Sequence, residues 1–122
     1  MDHLKGGNDL AVITDAGTPG ISDPAYRLVR EAITHFINIE SIPGPSAFLA
    51  GLSSSGLPTD RFIFEGFLPP KKGRKKRMLS VENEEATIIY YESPNRLLRT
   101  LKQLKETLGD RPAVVARELT KL

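Results

Sequence analysis

The stretch that decides the fold is residues 10–52, which read LAVITDAGTPGISDPAYRLVREAITHFINIESIPGPSAFLAGL. The apolar run Leu10–Ile13 predicts a buried strand. The turn-prone residues Asp15–Gly20 follow it at once, so the predicted strand ends in a loop rich in glycine and proline. This loop therefore lies where a strand leads into the next element of the chain.

A second strand and two helices are predicted downstream of this loop. Asp23 and Pro24 are suited to the N-cap and the first position of a helix that ends near His35. Residues 36–42 predict another strand, and residues 47–52 begin a short helix. A repeated strand–loop–helix order is typical of a parallel α/β sheet.

The second half of the chain predicts strands more strongly. Residues 62–67 alternate apolar side chains with period two, and residues 87–91 are β-branched or aromatic. Residues 113–116 predict one further strand. Between the halves, residues 57–61 are the best candidate for a linker.

The clearest predicted helix begins at Ser93 as N-cap with Pro94 in the first position, and Gly109 ends it. Its predicted apolar face consists of Leu97, Leu98, Leu101, Leu104 and Leu108. The basic residues before Met78 and Leu79 are expected to lead another helix.

The elements divide into a partial N-terminal α/β cofactor-binding domain (1–56), a linker (57–61) and a partial C-terminal α/β domain (62–122). The predicted fold class is α/β, with the C-terminal part of a parallel-sheet domain followed by most or part of a second α/β domain. A parallel sheet buried on both faces normally has more than two strands. We therefore expect the first domain to lack partner strands.

Composition excludes several classes of protein. The chain has no cysteine, which excludes disulfides and cysteine-based metal sites, and its two histidines lie in unrelated contexts. No apolar run approaches the roughly 20 residues that cross a bilayer. The sequence predicts a cytoplasmic α/β protein with neither a metal site nor a membrane segment.

The positive charge is concentrated in one short segment. Six of the 17 basic residues fall within seven positions, and the remaining chain has 11 basic against 15 acidic residues. The six are Lys71, Lys72, Arg74, Lys75, Lys76 and Arg77. Such a segment indicates contact with a polyanion, and a solvated loop or helix end is the equal alternative.

Two loops have the chemistry of a cofactor site. Ligands of parallel sheets bind at the carboxyl ends of strands, where Asp15–Thr18 and Pro43–Ala47 are predicted to lie. A carboxylate at Asp15 suits a cationic or hydroxyl-bearing ligand better than a phosphate. The alternative is that Asp15 only caps its turn.

Six motifs in order resemble one family. They are TDAGTPGISDP (14–24), IPGPSA (42–47), GLPTDRF (56–62), FEGFLP (64–69), YESP (91–94) and ARELTK (116–121). Together they are similar to the ribosomal RNA small subunit methyltransferase I group of the tetrapyrrole (corrin/porphyrin) methylases. The resemblance covers nearly the whole chain.

The resemblance implies a fold, a reaction and partners. The fold would have two α/β domains with S-adenosylmethionine held between them, usually in a homodimer. The reaction would transfer a methyl group to the ribose 2′-hydroxyl of a cytidine in small-subunit ribosomal RNA, so the 30S subunit is the implied partner. The basic segment, Lys71 to Arg77, would then face RNA phosphates.

The resemblance also implies roles for residues. Those implied to line the cofactor are Asp15, Ala16, Gly17, Thr18, Pro43, Gly44, Pro45, Ser46 and Ala47. Glu92, Glu118 or Lys121 could accept the proton of the 2′-hydroxyl. Glu118, beside Arg117 and Lys121, could equally belong to a structural ion-pair cluster.

Departures from the family pattern leave two alternatives open. Family members begin with a further cofactor loop that residues 1–13 do not match, and Asn95 replaces a common histidine. We expect the chain to be an internal piece of the enzyme and inactive in isolation. A corrin or porphyrin methyltransferase and a catalytically inert RNA-binding fragment are the competing interpretations.

Overall fold

The computed structural model describes residues 1–121. Leu122, the last residue of the predicted C-terminal domain, lies outside them. In chain order the elements are α1 (Asp2–Lys5), α2 (Ala25–Thr34), α3 (Ala47–Ser54), β1 (Phe62–Phe67), α4 (Arg74–Leu79), β2 (Thr87–Tyr91) and α5 (Pro94–Leu108). They form two compact units that divide between Ala47 and Phe48.

The second unit is built on a parallel pair of strands, β1 and β2. Phe62 lies opposite Thr87, and Phe67 lies opposite Tyr91. Between Phe64 and Gly66 the register shifts by one residue, so Glu65 is the extra residue of a β-bulge. The bulge brings Phe64 and Phe67, which are three positions apart, to the same side of the sheet.

An aromatic cluster covers that side of the sheet. The ring of Phe64 stacks on Phe48 of α3 at a centroid distance of 4.6 Å. Tyr91 contacts Phe64 at 5.1 Å and Phe67 at 5.3 Å. The Tyr91 hydroxyl also accepts a hydrogen bond from the backbone amide of Phe48 at 3.2 Å. These contacts attach the start of α3 to the sheet.

The small core of the second unit lies around α4. Leu68 and Met78 are each 2% exposed, and Val81 and Ala86 are also buried. In the first unit Ala32 is the buried apolar residue. The apolar surface removed from water therefore lies mainly in the second unit, where it stabilises the β1–β2 pair.

Several sequence predictions are confirmed. Both strands of the second half have the predicted bounds, and the basic segment leads into α4 as expected. Ser93 and Pro94 begin α5, and Gly109 ends it at a φ of 78°. The result is a mixed α/β structure with a small parallel sheet, the predicted fold class. Leu98 departs from the predicted apolar face, because it is 76% exposed.

Three predicted strands are wrong for this structure: residues 10–13, 36–42 and 113–116 form no strand. A strand needs a neighbour for its backbone hydrogen bonds, and sequence propensity alone does not supply one. Most side chains of these segments are exposed, so burial does not stabilise them either.

Residues 36 and 37 do not form the predicted strand because they terminate α2. The Phe36 amide bonds to the carbonyl of Ile33, and the Ile37 amide bonds to the carbonyl of Ala32. Phe36 has a φ of 57°, the left-handed conformation of a Schellman motif that glycine usually occupies. The chain therefore turns where extended structure was predicted to begin.

The division into units differs from the predicted linker at 57–61. α3 groups with the second unit from Phe48 onward because Phe48 packs on Phe62 and Phe64. The domain boundaries given from the sequence stay a prediction. No helix in residues 1–121 is long and apolar enough to cross a membrane.

The buried Leu68 provides a test of this core. We expect Leu68→Ala to lower the free energy of unfolding by about 3 kcal/mol, because it removes packed methyl groups and leaves a cavity. Leu98→Ala is the matched control, and its effect should stay within about 0.5 kcal/mol. Urea unfolding followed by circular dichroism measures both, and equal losses would contradict the assigned core.

Candidate functional site

The two predicted cofactor loops meet within the first unit. The Thr18 hydroxyl donates a hydrogen bond to the backbone carbonyl of Pro45 at 3.1 Å. Thr18 also accepts the Ile21 amide at its own carbonyl, at 3.2 Å. The structure thus brings Asp15–Thr18 and Pro43–Ala47 together, although 27 positions separate the bonded residues.

The first loop has a conformation that depends on Gly17. Its φ of 75° lies in the left-handed region, which L side chains rarely adopt. A Cβ at Gly17 would meet no atom within 4 Å, so the loop leaves open space there. The backbone at Gly17 is consequently accessible to a ligand.

The turn that leads into α2 is bonded by Asp23 and not by Asp15, and the N-cap of α2 is Pro24 rather than the predicted Asp23. The Asp23 carboxylate accepts the amides of Gly20 at 2.9 Å and Ala25 at 2.7 Å. Asp15 is exposed, and its carboxylate has no hydrogen-bond partner among the described residues. The ligand-binding role given to Asp15 stays a prediction.

Glu92 lies at the end of β2 in a buried polar cluster, with its side chain 6% exposed. One carboxylate oxygen accepts the Ser93 amide at 2.8 Å and lies 2.7 Å from the guanidinium of Arg96. The other accepts the Thr100 hydroxyl at 2.7 Å and lies 3.5 Å from Arg74. Both oxygens are therefore satisfied within the protein.

The surroundings of Glu92 keep its carboxylate ionised. Burial opposes ionisation, but the hydrogen bonds from Thr100 and Ser93, with the charges of Arg96 and Arg74, together hold its pKa below the ordinary value. A carboxylate with a lowered pKa is a weaker proton acceptor. The catalytic role given to Glu92 stays a prediction, and its environment favours a structural one.

Glu118 and Lys121 lie together on the surface. The Lys121 ammonium is 3.2 Å from the Glu118 carboxylate, and Arg117 is 4.0 Å from the same oxygen. The Lys121 side chain is 71% exposed, so the burial that would make it a base is absent here. The arrangement fits the structural ion-pair cluster that the sequence analysis kept as an alternative. Neither Glu118 nor Lys121 contacts Glu92 among the described residues.

Arg74 departs from the predicted RNA-binding set. Its guanidinium donates to Gln103 at 2.8 Å, to the carbonyl of Pro69 at 3.2 Å and to the Thr100 hydroxyl. With its side chain only 6% exposed, it faces Glu92 rather than solvent. Arg74 is therefore unavailable to a polyanion, because protein groups occupy its donors.

The remaining basic residues form a smaller cationic surface. Arg77, half exposed, bonds to the Glu65 carboxylate at the β-bulge. Lys71, Lys72, Lys75 and Lys76 are exposed, and none forms an ion pair within the described residues. We call these four the lysine surface. Its role in RNA binding stays a prediction.

An open groove of about 650 Å³, lined by apolar and charged side chains, was not foreseen from the sequence. It lies in the second unit between β2, α5 and residues 109–117. The Tyr90 hydroxyl beside it is buried and has no hydrogen-bond partner among the described residues. Burial, with the nearby Glu65 charge, raises the pKa of Tyr90 to about 12, so this hydroxyl stays protonated. Within residues 1–121 no three acidic or histidine side chains cluster to hold a metal ion.

Sequence reasoning also missed Thr100 and Gln103. Glu92, Arg96 and Thr100 are spaced four apart across the start of α5, a pattern that indicates side-chain contact on one helix face. That spacing was the available signal. The attachment of Arg74 to the same face had no signal in the sequence, since it joins residues about 26 positions apart.

The Glu92 cluster makes stability depend on pH. At pH 7 we expect Glu92→Gln to lower the free energy of unfolding by about 3 kcal/mol, since buried Arg74 loses its charged partner. The folded pKa lies below the ordinary 4.5, so this contribution is complete above pH 4.5 and is lost as pH falls through the folded pKa. Urea unfolding at pH 7 and pH 3 should show the two proteins converge in acid.

The control for this experiment is Glu118→Gln, which makes the same change of charge on an exposed side chain. Its effect should stay within about 0.5 kcal/mol at both pH values. A Glu92→Gln deficit that persists undiminished at pH 3 would contradict the assigned titration.

Comparison with known proteins assigns the chain to a family. Residues 1–122 match the tetrapyrrole (corrin/porphyrin) methylases along the whole chain. A Pseudomonas aeruginosa protein named ribosomal RNA small subunit methyltransferase I is 51% identical over 99% of this chain and 44% of its own length. A Thermotoga maritima protein of the same name is 47% identical over 98% of this chain and 54% of its length.

A Mesorhizobium japonicum protein, also of that name, is 53% identical over 97% of this chain and 41% of its own length. The chain thus spans about half the length of the curated relatives that it matches. A match over every residue, together with relatives near 50% identity, shows the family. The chain belongs to the tetrapyrrole (corrin/porphyrin) methylases.

Proposed function

We propose that this chain is part of an S-adenosylmethionine-dependent methyltransferase that modifies the ribose 2′-hydroxyl of a cytidine in small-subunit ribosomal RNA. The observation that carries the proposal is the Thr18–Pro45 hydrogen bond, which joins two loops suited to one ligand. The names of the relatives support ribosomal RNA as the substrate.

The residues of the joined loops fit the proposed cofactor. Asp15 offers an exposed carboxylate for a ribose hydroxyl or an ammonium group, and Gly17 permits close approach of the backbone. Pro43–Ala47 would form the adjoining wall. Bound S-adenosylmethionine would supply the methyl group of its sulfonium, which would become a thioether as the 2′-oxygen takes the methyl group and gives up its proton. The protein's task is then to align the acceptor and exclude water.

The lysine surface supports RNA as the acceptor. Four exposed ammonium groups lie within six positions, and the two arginines of the same basic segment, Arg74 and Arg77, are already paired with carboxylates of the protein. Phosphate contacts of this kind position a nucleic acid without reading its sequence.

We further propose that the protein works in the cytoplasm on the 30S subunit and as a homodimer.

The proton acceptor is proposed among Glu92, Glu118 and Lys121. Lys121 is an exposed ammonium paired with Glu118, and Glu92 is the less suited of the two carboxylates because two arginines and two hydrogen bonds stabilise its ionised form. Glu118 is more exposed and shares a single cation-rich surface with Lys121. Glu118 is therefore the better candidate of the two carboxylates.

A chimeric enzyme tests the proposed reaction. Residues 1–121 would replace the matching segment of the Pseudomonas aeruginosa relative, and the chimera would be incubated with S-adenosylmethionine and undermethylated small subunits. We expect 2′-O-methylcytidine in the nuclease digest, detected by mass spectrometry. A folded chimera that methylates a porphyrinoid but not the subunit would overturn the proposal. The 122-residue chain alone is proposed to be inactive.

Asp15 is the first residue to test for cofactor binding. In the chimera we expect Asp15→Asn to weaken S-adenosylmethionine binding about tenfold, because a charge-assisted hydrogen bond is replaced by a neutral one. Isothermal titration calorimetry measures the change. Asp9→Asn, an exposed substitution of the same kind in the same unit, is the control and should bind as the parent does.

The lysine surface makes a separate prediction about salt. Replacing its four lysines with glutamine should weaken RNA binding and reduce the slope of log K against log salt by about 3, since four phosphate contacts are lost. Fluorescence anisotropy with a small-subunit RNA fragment measures the slope between about 50 and 200 mM salt, the range over which phosphate contacts lose affinity.

The control variant changes the same number of exposed charges elsewhere. Its substitutions are Lys5→Gln, Arg30→Gln, Arg99→Gln and Lys102→Gln. Because the net charge is matched, only the position of the lost cations differs. Equal changes of slope in the two variants would argue against a localised RNA surface.

A further inference from the structure

We propose that Arg74 is a positioning residue, which holds α4 in place so that the lysine surface has a fixed geometry for RNA. The inference rests on the proposed RNA-binding function. In it the four lysines contact phosphates, whereas Arg74 holds the helix that presents them. It concerns how the surface is built, because Arg74 itself does not face solvent.

The isolated sequence of α4 is unfavourable for a helix. The helix has six residues, shorter than the roughly 12 that are marginal alone in water. Its first turn begins with Arg74, Lys75 and Lys76 and contains no acidic residue, so positive charges lie at the positive end of the helix dipole. Its order must therefore come from tertiary contacts.

Arg74 supplies the most extensive of these contacts. Its three guanidinium nitrogens each donate: Nε to Gln103, Nη1 to the Pro69 carbonyl and Nη2 to Thr100. Thr100 and Gln103 are three positions apart on α5 and so lie on the same face of that helix. The first residue of α4 is thereby bonded both to α5 and to the loop that enters α4.

Glu92 makes this attachment electrostatic as well. Its carboxylate is 3.5 Å from Arg74 and accepts the hydroxyl of Thr100, which itself accepts a bond from Arg74. The three side chains form a closed buried network, in which the guanidinium geometry fits several acceptors at once. A lysine at this position would retain the charge but not the fork of donors.

The other side of α4 is fixed by different groups. Met78 is buried, and Arg77 bonds to Glu65 at the bulge of β1. The Arg77–Glu65 pair attaches the second half of the helix to β1, whereas Arg74 attaches its beginning to α5. Lys71 and Lys72 precede that beginning, and Lys75 and Lys76 follow it directly. Release of Arg74 would consequently disorder the segment that carries all four lysines.

The test compares Arg74→Met with Lys75→Met, a matched loss of one cation from the same helix. Hydrogen exchange of the amides of residues 74–79 is measured by mass spectrometry on the full chain. RNA affinity is measured by anisotropy as a function of salt. Exchange of the β1 and β2 amides reports whether the second unit remains folded.

For Arg74→Met we expect exchange of the α4 amides to accelerate at least about tenfold. RNA affinity should fall about fivefold with the salt slope unchanged, because no phosphate contact is removed. For Lys75→Met we expect unchanged exchange and a slope reduced by about 0.7 to 0.9. Arg74→Lys should restore only part of the protection of α4.

Three results would overturn the inference. They are unchanged α4 exchange in Arg74→Met, accelerated exchange without loss of RNA affinity, and a slope reduced as in Lys75→Met. If wild-type protein fails to bind RNA, the proposed function fails, and the exchange of α4 still decides the structural part. If Arg74→Met does not fold, Thr100→Val removes one acceptor of Arg74 and should give a smaller acceleration in the same residues.

Discussion

The second unit depends on one buried carboxylate and the cations around it. Glu92 lies where β2 ends and α5 begins, and it contacts Arg96 of α5 and Arg74 of α4. A buried charge is costly unless charged partners and hydrogen bonds compensate its lost hydration. Here the strand end, the helix start and a short neighbouring helix must all be in place for that compensation. The contacts of Glu92 therefore constrain β2, α5 and α4 together.

This constraint separates the basic segment into groups with different tasks. The composition of residues 71–77 suggests a uniform cationic run, but Arg74 and Arg77 bond to protein carboxylates. The two arginines suit this use because a planar guanidinium can donate to several acceptors. The exposed positions are lysines, whose flexible, hydrated ammonium groups are adequate for a phosphate backbone. The side-chain chemistry thus matches the division between structural and surface positions.

The sequence predicted β1, β2 and α5 well because their signals are local. The β-branched run Thr87–Ile89, the Ser93–Pro94 helix start and Gly109 each act within a few residues. The bulge at Glu65 was not predictable, because regular alternation in residues 62–67 gave no sign of an extra residue. The strands predicted at 10–13, 36–42 and 113–116 do not form, since strand formation requires a partner elsewhere in the chain.

The candidate site shows the same division between local and long-range information. The polar side chains of Asp15 and Ser46 and the turn at Gly17 are visible in the sequence, but the parallel strands expected to bring the two loops together do not form. The bond from Thr18 to Pro45 supplied the geometry. By contrast, burial of Arg74 was hidden, because nothing in a run of similar charges distinguishes the residue that faces inward.

The bulge has a consequence for the length of β1. Because Phe64 pairs with Ile89 and Gly66 with Tyr90, the ladder would keep its register if Glu65 were absent. The strand therefore contains one residue more than its pairing requires. That surplus residue provides the carboxylate that binds Arg77. A shorter relative of this strand could keep the same sheet and the same aromatic cluster, yet Arg77 and the second half of α4 would need another partner.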